Sequence, residues 1–195
     1  MDELKRSVDY SRKRLQAIRN CESKVSDILW KSTQKIIAAS KRYRGAGRLT
    51  NESALLSYAK NVTSEAEESI NSYISAYSKA SCKILGIDSE NIESFLVSDI
   101  YGKTTSERNA VYLGNFAEDI VRMIKAGTLM GYSDQHLLSS IRTGYKDPYH
   151  TSVITKAKRK DINIDVPSYG KGYYKNAYQN IVRNASQVIA LAWGQ

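Results

Sequence analysis

The stretch LKRSVDYSRKRLQAIRNCESKVSDILWKSTQKIIAASKRYRGAG, residues 4–47, decides the fold. Its apolar positions Leu4, Val8, Leu15, Ile18, Val25, Leu29 and Ile36 follow a heptad-like register, with Ser11, Glu22 and Ser32 in the gaps. That period predicts one amphipathic helix of about ten turns, able to pair within the chain or between chains. Gly45 and Gly47 are the first glycines of the chain and place the helix end near Arg44.

Outward from this stretch the helical pattern continues. Thr50 is the expected N-cap of a second long helix, with Glu52 in its first turn. Leu55, Ala59, Val62, Ala66, Ile70, Tyr73, Tyr77 and Ile84 mark its stripe up to Gly86, so the two helices read as an antiparallel hairpin. A short third helix is expected around Ile92, Phe95 and Leu96, capped by Asp88 and ending by Gly102. The sequence T-T-S-E, Thr104 to Glu107, is a capping box ahead of a helix through Val111, Phe116, Ile120 and Ile124, whose end Gly127 and Gly131 bracket. Ser133 caps a further helix through Leu137 and Ile141 that Gly144 closes. Residues 148–160 read as helical, and Ile162, Ile164 and Val166 as a short strand or extended arm. Pro167, Gly170 and Gly172 form a loop, and a last helix runs from about Tyr173 to Trp193. The fold class is therefore all-α: a long hairpin over residues 1–100 and a compact helical unit over 101–195, or a single domain of both.

Composition agrees. The chain has 195 residues, 42% of them hydrophobic, with only two prolines and eleven glycines, too few for the frequent turns of a β-sandwich. Cys21 and Cys82 cannot form a disulfide framework and suit a reducing compartment as small buried residues. No stretch is long and apolar enough to span a membrane, and the opening MDELKRSVDYSRKR has no signal-peptide pattern. Sequons at Asn51, Asn61 and Asn184 are the chance products of a serine-rich chain.

The net charge of +9 is unevenly spread. Residues 1–48 carry 13 basic and 5 acidic side chains, and 151–195 carry 7 and 2, whereas 49–100 carry 3 and 8. Two basic clusters stand out: Lys41, Arg42, Arg44 and Arg48 at the first glycine turn, and Lys156, Lys158, Arg159 and Lys160. Either can neutralise phosphates without reading bases. A helix-turn-helix reading of residues 124–141 would expose Asp134, Gln135, His136, Ser139 and Arg142 to a groove, a weak cationic complement for a duplex. Catalysis is not expected. His136 and His150 belong to no zinc spacing, and Gly45 to Gly47 lacks a Walker loop's lysine and its preceding strand. No cofactor or metal site is expected.

The segment A-G-T-L-M-G-Y-S, through Gly127, Gly131 and Ser133, read with Y-Y-K-N-A-Y-Q-N-I-V-R, resembles the phage minor head proteins of the MuF-like (head morphogenesis) family. Tyr174, Tyr178, Asn180 and Arg183 match that family's tyrosine- and arginine-bearing helix, while Ser186, Gln187 and Val188 replace its common Arg-Thr-Glu triplet. The resemblance covers residues 104–193. It implies a non-enzymatic protein of the virion, in the host cytoplasm during assembly, that contacts portal or other virion proteins and packaged double-stranded DNA. A homo-oligomer or a larger assembly follows, with Tyr174, Asn180 and Arg183 at a protein interface. The alternative is a basic, helical DNA-binding protein with a regulatory or packaging role.

Overall fold

The computed structural model describes residues 2–85, 102–143, 155–162 and 173–193. Among the described residues it is all-α apart from one small hairpin and a single bridge residue at Lys103. Helix α1 spans Asp2–Ser40, α2 Glu52–Leu85, α3 Thr105–Met130 and α4 Asp134–Thr143. A short helical turn, α5, covers residues 155–159, and α6 spans Tyr173–Trp193. The expected helix from Asp88 to residue 101, the close at Gly144, residues 148–154 of the expected helix with His150 among them, the extended residues beyond Ile162 and the loop at 167–172 lie outside the described residues.

One cluster of buried side chains ties the long helices together. It takes Val25, Leu29, Ile36 and Ile37 from α1, Leu55, Ile70 and Ile74 from α2, Phe116, Ile120, Met123 and Ile124 from α3, and Ile181, Ala185 and Val188 from α6. Cys21 and Cys82 are buried as well, and burial, with Glu22 adding to it, pushes the Cys21 thiol up to about 11. At that value the thiolate is scarce at neutral pH and the group acts as a small hydrophobe.

The first turns of α1 depart from the expected buried seam. Leu4, Val8 and Leu15 are 73%, 52% and 55% exposed, because Tyr10, Ile18 and Cys21 carry the inward face there. An uncovered seam thus precedes the packed part of the same helix.

Helix ends follow local chemistry. Thr104 and Glu107 form the expected capping box: Glu107 N–H donates to Thr104 Oγ1 at 3.2 Å, and Thr104 N–H donates to Glu107 Oε2 at 2.7 Å. Ser133 caps α4 by accepting from His136 N–H at 3.2 Å. Asn51, rather than Thr50, caps α2, since Ala54 N–H donates to Asn51 Oδ1 at 3.0 Å. Thr50 serves the hairpin instead, donating through both its N–H and its hydroxyl to the Tyr43 carbonyl.

Gly127 and Gly131 have distinct roles. Gly131, at φ 79°, is the left-handed residue just past α3; its N–H donates to Thr128 O, and Tyr132 N–H donates to Gly127 O, the paired bonds of a Schellman motif. Gly127 stays inside the helix and is needed for packing: a Cβ there would stand 2.3 Å from Leu137 Cδ2.

Candidate nucleic-acid interface

Helix α1 stops at Ser40, four residues before the expected end. A single 3-10 turn, Lys41–Tyr43, leads into a two-residue strand β1, Arg44–Gly45, paired antiparallel with β2, Arg48–Leu49. Ala46 and Gly47 join them with φ of 50° and 73°, the doubly positive pair that a tight type I′ hairpin requires. The glycine turn foreseen between the long helices is thus a hairpin that projects its cations in a fixed register.

The second basic cluster meets this hairpin. Lys160 reaches the hairpin: a Cβ on Gly47 would be 2.8 Å from its Nζ, the movable tip of an exposed side chain, while the φ of 73° is what favours glycine at this position. Lys160 is held by the close of α5, where its N–H donates to the carbonyls of Lys156 and Ala157. Ala157 anchors the turn by burial against Ala126 and Leu129 of α3, with Ile162 and Met130 alongside. An apolar contact between α3 and α5 therefore brings Lys160 to the hairpin, with Lys156, Lys158 and Arg159, also exposed, on the same short turn.

The eight cations are not equivalent. Asp134, the first residue of α4, pairs with Lys41 at 3.0 Å and with Arg44. Burial alone would raise the Asp134 carboxyl, but the bonds and charges of Arg44 and Lys41 outweigh it and hold it below its ordinary value. Arg44 is half-buried and has one donor, Nε, without a hydrogen-bond partner. Arg42, Arg48, Lys156, Lys158, Arg159 and Lys160 are exposed and form no ion pair with any described residue. Those six are the charges free to meet an anion. Lys41 and Arg44 secure the hairpin to α4.

The remaining named residues lie elsewhere. Tyr174 is in the first turn of α6, Asn180 is half-buried and Arg183 is exposed on the same helix. On the helix-turn-helix face, Gln135, His136, Ser139 and Arg142 are placed on α4, where His136 stacks on Tyr132 with ring centroids 3.7 Å apart and Arg142 lies over the Trp30 ring at 5.3 Å.

Sequence reasoning missed two features. Asp134 as the hairpin's anchor left no signal beyond being an acid at a helix start. The other is a buried amide ladder: Asn184 Nδ2 donates to Asn109 Oδ1 at 3.0 Å and Asn109 Nδ2 to Asn71 Oδ1 at 2.9 Å, joining α6, α3 and α2. Asn109 stands on the same stripe as Leu113 and Phe116, a polar interruption that could have revealed it. The ladder also puts Asn184, 5% exposed, beyond the reach of glycosylation.

Among the described residues no group of His, Cys, Asp and Glu could hold a metal ion, and no helix is long and apolar enough to cross a membrane. No family model matches the chain, and no match was found among the curated proteins or the solved structures.

Proposed function

We propose that this protein is a non-enzymatic structural component of a phage virion, at the head or the head-to-tail portal junction, where it contacts other virion proteins and packaged double-stranded DNA. The observation that carries this reading is the meeting of the two basic segments at Gly47 and Lys160, segments that together hold six exposed cations. Such a surface neutralises phosphates and reads no bases, which suits DNA packed without regard to sequence. The resemblance of residues 104–193 to MuF-like minor head proteins supplies the virion setting. In this reading Tyr174, Asn180 and Arg183 of α6 face portal or other virion subunits, and the protein passes through the host cytoplasm during assembly.

Quantitative mass spectrometry of purified particles tests the proposal. Presence at about a dozen copies, the scale of a ring closed by cyclic symmetry, is the expected result. Absence from the particles would refute the virion role and favour a DNA-binding protein acting in the cell.

A further inference from the structure

Leu4, Val8, Ser11 and Leu15 form a short heptad seam on α1 that no described residue covers. The packed part of the helix begins at Cys21, so the seam lies on a part of α1 whose inward side is carried by Tyr10 and Ile18. Along one side of the seam run Lys5, Arg12 and Arg19, and along the other stands Arg14, all exposed. The acids of these turns, Asp2, Glu3 and Asp9, occupy none of the flanking positions.

We infer that this face is a docking site for an acidic amphipathic helix of another protein, which pairs with α1 as a short coiled coil. Width and charge select that occupant. A seam confined to the two apolar heptad positions, interrupted by Ser11, is narrower than the apolar stripe of a membrane-surface helix and displays no large aromatic ring. A second copy is disfavoured by charge. In a parallel pair Arg14 would face the partner's Arg19, and in an antiparallel pair Lys5, Arg12 and Arg19 would face one another. A partner with Glu or Asp at the flanking positions turns each repulsion into an attraction while its apolar residues cover Val8 and Leu15. The site is separate from the hairpin, so this inference stands or falls independently of DNA binding.

A synthetic helical peptide with Leu at its seam positions and Glu at its flanks, titrated into the full chain by calorimetry, tests the inference. Because the interface buries Val8 and Leu15, the charge-preserving double substitution Val8→Ser/Leu15→Ser should weaken binding about tenfold or more. Arg12→Gln/Arg19→Gln should weaken it comparably and reduce its salt dependence. All four side chains are exposed, so both variants should keep the melting temperature of the parent. Equal binding of a peptide with Ser in place of the seam leucines would overturn the inference, as would binding unaffected by Val8→Ser/Leu15→Ser. So would concentration-dependent dimerisation of the chain that those substitutions abolish, or stronger capture by anionic vesicles than by the peptide.

Discussion

The ammonium of Lys160 rests beside Gly47, so that a cation of the second basic cluster stands at the hairpin of the first, more than a hundred residues earlier in the chain. Gly47 is at φ 73° in the tight turn, and its missing side chain makes the room that Lys160 occupies.

Glycine replacement should separate packing from helix propensity within α3. Gly127→Ala places a methyl group against Leu137 and should destabilise the protein by about 2 kcal/mol through overpacking. Gly114 lies on the same helix, and a methyl group added to it would meet nothing within 4 Å, so its replacement by Ala should gain up to about 1 kcal/mol. Urea denaturation of the two variants reads both signs. A loss of stability in Gly114→Ala equal to that in Gly127→Ala would contradict this account.

The amide ladder predicts a non-additive pair. Asn109→Ala orphans the buried amide of Asn184 and should cost about 2 kcal/mol. Adding Asn184→Ala should cost less than that substitution alone in the parent, because its hydrogen bond to Asn109 is already gone. A double-mutant cycle by chemical denaturation measures the coupling, and strictly additive losses would show that the ladder is not a unit.

Sequence pattern reaches the helices well and their surroundings poorly. The capping box at Thr104 and Glu107 and the cap at Ser133 are local devices, each legible in four residues, and both stand as expected. The seam of α1 is equally legible, yet periodicity cannot say how much of a stripe another helix covers, and Leu4, Val8 and Leu15 stay exposed. Asn51 displaced Thr50 as the cap of α2 because the hairpin claimed the threonine hydroxyl, a tertiary competition invisible in the local pattern. Both basic clusters are plain in the sequence. Their meeting depends on Ala157 packing against Ala126 and Leu129, which no spacing encodes.

Asp119 should give stability a pH dependence of recognisable sign. Burial pushes its carboxyl up to about 6, opposed by Arg122 at 3.4 Å and helped by Glu118. A carboxyl with a raised folded-state value binds its proton more tightly when folded, so its stabilising contribution is complete below the unfolded value near about 4 and is lost as pH rises through about 6. Asp119→Asn should therefore be more stable than the parent by about 1–2 kcal/mol at pH 7.5, a figure reduced for partial solvent screening, with the gap shrinking toward pH 4. Thermal melts of both proteins across that range check it, and a variant less stable at pH 7.5 would show that the Arg122 pair outweighs burial.

Asp134 should titrate in the opposite sense. Its carboxyl is held below the ordinary value by Arg44 and Lys41, so its contribution is present above about pH 4 and is lost as pH falls further. Asp134→Asn should loosen the hairpin at neutral pH, read as faster amide exchange at Thr50, whose N–H closes on Tyr43. Unchanged exchange would mean that the hairpin holds without its anchor.

The convergence of the two clusters is tested most directly by fluorescence anisotropy with two duplexes of unrelated sequence over a series of salt concentrations. The account predicts equal affinity for both duplexes and a linear fall of log affinity with log salt, at a slope of about −0.9 per phosphate neutralised. Arg42→Gln/Arg48→Gln and Lys158→Gln/Lys160→Gln should each flatten that slope by about two charges' worth, because both pairs face the same duplex. Binding that prefers one duplex, or a slope that only one of the two variants changes, would contradict it.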